Sequence, residues 1–189
     1  LLEAATHAPS AGNLQNWVFI VVEDEEKRER IAQLSLRQQW MTGAPYHIVI
    51  CNDTSKTKRF PAKGEIYGIQ NCAAAASYIL LKAQELGLGT CWVGAFDDEG
   101  VKDLLHLPDH MTPEIILTAG YAEEWERDES PIPAHLLTHF NQYGGAQTWI
   151  LPQRPFPLEE HVGKTAKKQG KILSKGIQNI KKKLRREQP

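Results

Sequence analysis

The sequence predicts a layered α/β or α+β fold. Strand-like runs rich in β-branched and aromatic residues alternate with helix-length segments, and no tight Asn-Gly hairpin signal joins consecutive strands. At 189 residues the chain holds about one domain with a tail to spare.

Leu1-Leu2-Glu3-Ala4-Ala5 reads as the closing turns of a helix, and Leu1 at the first position suggests that sequence lies upstream. Strands are expected at Trp17 to Val22, His47 to Cys51 and Glu114 to Tyr121, with a short one at Cys91-Trp92-Val93. Glu25 to Ser35 has helical composition. From about Glu65 to Leu86, small or apolar residues at Ile66, Ile69, Ala73, Ser77 and Leu80, broken at Gln84 and widened by Ala76, Ile79 and Ala83, predict a long, largely buried helix capped by Gly87. Asp97 or Asp98 can cap a helix to about Leu105, stopped by Pro108, and Ile132-Pro133 opens another through His139. Tyr143-Gly144-Gly145 and Pro152, Pro155 and Pro157 form a linker. This gives an expected domain over 1–150 and a tail over 151–189.

The tail repeats Val162, Ala166, Leu173, Ile177, Ile180 and Leu184 at helical steps, with lysines mostly on other faces. It is expected to be an amphipathic basic helix, interrupted by Gly163, Gly170 and Gly176, each costing about 1 kcal/mol relative to alanine. From Glu159 onward ten lysines and arginines face three glutamates, so a net charge of −1 divides into a tail of +7 and a body of −8. The tail could meet nucleic acid or an anionic membrane, but a solvated helix is the favoured reading.

The longest apolar runs, Trp17 to Val22 and Ala73 to Leu81, fall short of the roughly 18 to 20 residues of a membrane span. No basic segment followed by an apolar one opens the sequence as a secretory signal would. Cys51, Cys72 and Cys91 are far apart and odd in number, which disfavours a disulfide framework and fits a reducing cytoplasm. Cys91 is expected to be a buried structural cysteine. Pro108 separates His106 from His110, and His135 with His139 lack a third ligand, so a zinc site is not expected. Gly87-x-Gly89 without the longer dinucleotide fingerprint gives little support to a Rossmann site.

Two segments carry chemistry. Ala8-Pro9-Ser10-Ala11-Gly12-Asn13-Leu14-Gln15-Asn16-Trp17 joins a loop of small and amide residues to a strand, where Gly12 lets backbone come close to a ligand and Ser10 and Asn13 offer short polar groups. The same residue types also suit an ordinary turn. Gly87-Leu88-Gly89-Thr90-Cys91-Trp92-Val93-Gly94-Ala95-Phe96-Asp97 passes from a helix cap through a brief strand to a bend, where Gly94 lacks a Cβ and Trp92 and Phe96 supply apolar walls. His7 precedes the first loop and could touch a ligand or cap the helix.

Together these segments resemble the FMN-dependent nitroreductase family. Ala8 to Trp17 is similar to its A-P-S-x-x-N-x-Q-P-W signature, with Asn16 where proline is usual. Gly87 to Asp97 is similar to G-L-G-x-x-W-[IV]-G-x-F-[DN], Ile69-Gln70-Asn71 to an I-Q-N helix, and Pro113 to Tyr121 to a strand ending in Gly-Tyr.

The resemblance implies an α+β fold with a central mixed or antiparallel sheet flanked by helices. It also implies a homodimer in which the long helix packs on its mate and two FMN sites lie at the subunit interface. Pro9, Ser10 and Asn13 would face the flavin, with Asn13 at its polar edge and Gln15 close by. Trp92 and Val93 would lie along the ring, and the N–H of Gly94 or Ala95 would reach N5. NADH or NADPH would reduce FMN, which would then reduce a nitroaromatic, quinone or enone in the same cleft by a ping-pong mechanism. No side-chain acid or base is implied. The family's Arg-Arg-Ser phosphate motif would fall upstream of Leu1, and its arginine after Gly-Tyr is replaced by Glu129-Ser130, leaving Arg127 as the candidate substitute. The basic segment Lys56, Lys58, Arg59 and Lys63 could form a rim that attracts NAD(P)H phosphates. A non-catalytic FMN-binding protein, or a platform for the basic tail, are the alternatives.

Overall fold

The computed structural model describes residues 1–122 and 131–145. The chain divides into two units, Leu1–Trp125 and Glu126–Pro189. The first unit has one four-stranded antiparallel sheet in the order β1-β2-β4-β3, with β1 Trp17–Val22, β2 Tyr46–Asp53, β3 Gly89–Val93 and β4 Met111–Gly120. Its helices are α1 Leu2–Thr6, α2 Glu25–Leu34, α3 Thr54–Thr57, α4 Gly64–Leu86 and α5 Asp98–Leu105.

Period-two alternation assigns the central strands to two cores. Ile48, Ile50, Ile115 and Leu117 join Ala5 of α1 and Cys72, Ala75, Ala76 and Ile79 of α4 on one face. Val49, Cys51 and Ile116 join Ile31 of α2, Met41 and Val101 of α5 on the other. Helices thus cover both faces, which explains the unbroken apolar runs of β2 and β4.

Local signals set the element ends. Asp24 accepts from the Lys27 N–H at 2.9 Å to cap α2, and Asp97, not Asp98, accepts from Gly100 N–H at 3.2 Å to cap α5. Gly87 closes α4 at φ +74°. The fourth strand begins three residues before the expected Glu114. Ile50 pairs with Ile115 but Cys51 with Pro113, so Glu114 is the extra residue of a β-bulge, beside a proline that has no ladder N–H to donate.

Three expectations are corrected. The buried side of α4 is Gly64, Gly68, Asn71, Cys72, Ala75, Ala76, Ile79 and Ala83, whereas Ile66, Ile69, Tyr78 and Leu81 are exposed. Small residues bring the helix close to the sheet and the larger apolar ones point away from this chain. Cys91 is exposed, because β3 is an edge strand, while Cys51 and Cys72 are buried. In the second unit, α6 spans only Ala134–Leu137: Pro133 stays extended at ψ 133° ahead of it, and Thr138 returns to extended backbone. His139 therefore lies beyond the helix that carries His135. The expected linker prolines, the basic tail helix and the 150/151 boundary lie outside the described residues.

His47 is fully buried and its Nε2 lies 2.9 Å from the Met41 carbonyl. A carbonyl only accepts, so Nε2 holds the proton and Nδ1 has no partner. Burial, aided by the Arg28 charge and opposed by the Met41 bond, holds the imidazole below its ordinary pKa of 6.5. The unfolded chain thus binds a proton the folded one refuses, so stability is undiminished by this group above pH 6.5 and falls as pH drops below that value toward the lower folded pKa. Thermal unfolding midpoints are expected to drop between pH 7.5 and 5.5, and to drop less in His47→Gln; equal drops would contradict this role.

Candidate functional site

Antiparallel pairing places the start of β1, the end of β2 and the start of β4 at one end of the sheet, where Trp17 pairs with Asn52 and Asn52 with Thr112; β3 runs toward that end but stops at mid-sheet, where Val93 pairs with Ile116, Ile116 with Val49 and Val49 with Ile20. The Ala8 to Asn16 loop enters β1 at this end, and the Gly94-Ala95 bend leaves β3 in its direction. They come from opposite edge strands, three strand spacings or about 14 Å apart. No hydrogen bond joins them among the described residues.

The first loop is held in an unusual backbone. Ser10 is extended, Ala11–Asn13 forms a 3-10 turn, and Gly12, Asn13 and Gln15 have φ of +56°, +54° and +45°. Such left-handed backbone is easy for glycine and tolerated by asparagine, but strained for glutamine. Side chains compensate. Ser10 Oγ accepts from Gln15 N–H at 3.1 Å, and Gln15 Nε2 donates to Asn13 Oδ1 at 2.7 Å. Because Asn13's oxygen is taken, its Nδ2 is left as a donor.

Behind the loop runs a relay of amides. The Ala11 N–H donates to Asn71 Oδ1 at 2.9 Å, Asn71 Nδ2 to Asn16 Oδ1 at 2.6 Å, Asn16 Nδ2 to Asn52 Oδ1 at 2.7 Å, and Asn52 Nδ2 to Glu114 Oε1 at 3.1 Å. The three asparagines are buried. The basic segment after β2 clamps the same loop: Lys56 Nζ donates to Gln15 O at 3.1 Å and Arg59 Nη2 to Gly12 O at 3.4 Å. Two of the four cations expected at a phosphate rim thus serve loop carbonyls.

Pro9, Asn13 and Gln15 are exposed and Ser10 half-buried. In the second motif Trp92 is exposed, but the Val93 side chain is buried in the second core, so only its backbone is available to a ligand. A Cβ on Gly94 would meet nothing nearer than the Trp92 indole at 3.5 Å, and Gly94 has no positive φ. Packing does not require glycine there, so the space in front of it is open to a ligand. His7 serves as the C-cap residue of α1. Arg127 lies outside the described residues.

A cavity of about 600 Å³ opens at this sheet end, lined by Asn52, Lys58, Phe60, Glu65, Asp98 and Glu114 among others. Of the residues that the sequence pointed to, Lys58 of the basic rim lines it, and none of those expected at the flavin does among the described residues. It adjoins the loop through Phe60, which would meet a Cβ on Gly12 at 2.9 Å. Burial, with the charges of Asp98 and Glu65, raises the Glu114 pKa above the ordinary carboxylate value, against the bond from Asn52.

Sequence reasoning missed Asn52, one residue past the expected end of its strand, and Glu114, the expected first residue of another, and noted Asn16 only as a departure from proline. The signal was an asparagine in each of three neighbouring elements, one inside the Ile-Gln-Asn helix.

The fold is an α+β sandwich with an amide-bearing loop at one end of the sheet and an open cavity beside it. The chain belongs to the Nitroreductase family, whose model matches residues 1–42 and 34–121. It is 35% identical over 132 residues to an Archaeoglobus fulgidus protein whose name couples NADH dehydrogenase and NAD(P)H nitroreductase, covering 68% of this chain and 73% of that one. It is 27% identical to a Bacillus subtilis FMN reductase [NAD(P)H], over 76% of this chain and 64% of the relative. An FMN-dependent nitroreductase structure from Clostridium difficile R20291 superposes with a TM-score of 0.64 at 32% identity, covering 75% of this chain and 84% of that one.

Gly68 of α4 faces the relay: a Cβ there would collide with Asn52 Nδ2. Alanine favours a helix over glycine by about 1 kcal/mol, but displacing a buried, hydrogen-bonded amide costs about 1–3 kcal/mol. Gly68→Ala is therefore expected to lower stability to urea, and an unchanged or raised midpoint would contradict the packing.

Proposed function

We propose that this protein is an FMN-dependent oxidoreductase that takes electrons from NADH or NADPH and passes them to electron-poor acceptors such as nitroaromatics or quinones. Donor and acceptor use the same cleft in turn. Family membership supports the class, and the observation that carries the site is that the Pro9 to Gln15 loop enters β1 at the sheet end toward which β3 runs into the Gly94-Ala95 bend. When bound, FMN supplies the redox chemistry itself. The chain's residues bind and bias it. The free Asn13 Nδ2 suits a carbonyl on the pyrimidine edge, with Pro9, Ser10 and Gln15 shaping that wall. The N–H of Gly94 or Ala95 suits an acceptor nitrogen, and exposed Trp92 offers a flat apolar surface beside it. Donors aimed at these positions favour the extra negative charge of a reduced ring. Arg127 is the proposed cation for the phosphate.

We further propose that a second copy of the chain completes each site. The exposed face of α4 carries Ile66, Ile69, Tyr78 and Leu81, an apolar stripe opposite the face that packs on the sheet. Because the two motifs leave opposite edges of one sheet, pairing two chains along α4 offers a way to bring loop and bend to one ring. The free thiols of all three cysteines support a reducing, cytoplasmic setting.

Purified protein supplied with FMN is expected to retain flavin absorbance that bleaches anaerobically with NADH or NADPH and returns on adding a nitroaromatic or quinone. Retained flavin that never bleaches would instead support a binding protein without turnover. Gly94→Val is expected to keep the wild-type unfolding midpoint yet lose FMN affinity at least about tenfold, or about 1.4 kcal/mol; Asn13→Ala should also weaken binding. Full affinity in both would overturn the site. Leu81→Glu is expected to give a monomer in sedimentation velocity where the parent is a dimer, and an unaltered dimer would refute pairing along α4.

A further inference from the structure

The relay has a direction, and its Ala11 end fixes it. A backbone N–H can only donate, so Ala11 obliges Asn71 to present its oxygen, which turns Asn71 Nδ2 toward Asn16. Asn16 must then accept with its oxygen and donate with its nitrogen, and so must Asn52. At the far end Glu114 Oε1 accepts from Asn52 Nδ2 at 3.1 Å. The bulge in β4 is what brings an unpaired residue to this point, beside Asn52 on the neighbouring strand.

We infer that Glu114 is a positioning residue: as the terminal acceptor of the relay through Asn52, Asn16 and Asn71, it holds the Ala11 end of the Pro9 to Gln15 loop in its strained, ligand-ready backbone. The inference rests on the proposed flavin-facing role of that loop. It also gives a physical reason for Asn16, which stands where the family signature usually has proline. Proline has no side-chain amide, so the link from Asn71 to Asn52 depends on this substitution. Reversing the end of the relay is predicted to matter more than removing its charge. A donor in place of Glu114 would oppose Asn52 Nδ2, and flipping Asn52 to meet it would set two donors face to face at Asn16. Satisfying those would pass the conflict along to Ala11, whose N–H cannot reverse.

The test compares Glu114→Ala, Glu114→Gln and Glu114→Lys with Glu65→Gln, which removes a charge from the same cavity outside the relay. Amide exchange at Ala11, measured without flavin, reads the relay; FMN affinity reads its consequence. Loss of one net hydrogen bond predicts about fivefold faster Ala11 exchange in Glu114→Ala, with a larger effect in Glu114→Lys. Glu114→Gln, which can accept through Oε1, should stay within about twofold of the parent, as should Glu65→Gln. FMN affinity should fall in the same order. Unchanged Ala11 exchange in both Glu114→Ala and Glu114→Lys overturns the inference, as does an equal effect of Glu65→Gln. Faster exchange with unaltered FMN affinity overturns the positioning role. Parent protein that takes up no FMN contradicts the proposed function instead, while Ala11 exchange still decides whether the relay acts.

Discussion

The buried amide relay from Ala11 through Asn71, Asn16 and Asn52 to Glu114 is the interaction on which the proposed site depends. It crosses from a loop to a helix, back to the start of β1, and on to β2 and β4. Amides out of water are costly when unpaired, so this line is stable only while every member is satisfied. That condition ties the loop to α4, β2 and β4. It also explains why a loop with three consecutive or near-consecutive left-handed residues keeps one shape.

Around the relay, the rest of the architecture supplies position. The two cores fix the sheet between α4 and α1 on one side and α2 and α5 on the other, so the strand ends cannot drift relative to one another. The bulge at Glu114 lets β4 reach the cavity with a carboxylate without losing register deeper in the sheet, where Ile115 to Ala119 pair regularly. Gly68 gives Asn52 the room a Cβ would take. Lys56 and Arg59 close the loop from its other side by donating to its carbonyls. The chemistry proposed for the cleft then needs few protein groups, because each is already oriented before a ligand arrives.

Much of this was legible in the sequence. All four strands and the helices α2, α4 and α5 follow from apolar runs, caps and the glycine after Leu86, because these signals are local. The two motifs of the proposed site are local signals of the same kind. The orientation of α4 was not legible: Ile66 and Ile69 look more core-like than Gly68 or Ala75, and only the close approach of helix to sheet makes small residues the inner face. Cys91 was misplaced because nothing in three apolar residues tells an edge strand from a central one. The relay was invisible for a deeper reason. Its successive members are 60, 55, 36 and 62 positions apart, and only the antiparallel register and the packing of α4 on the sheet bring them together.

A double-mutant cycle between Asn71 and Asn52 tests the relay most directly, since both bond to Asn16 and neither is bonded to the other. Urea unfolding of Asn71→Ala, Asn52→Ala and the double variant is expected to show a less-than-additive loss, with a coupling of at least about 0.5 kcal/mol carried by Asn16. Strictly additive losses, within about 0.3 kcal/mol, would mean that the amides act as separate contacts and would contradict a continuous relay.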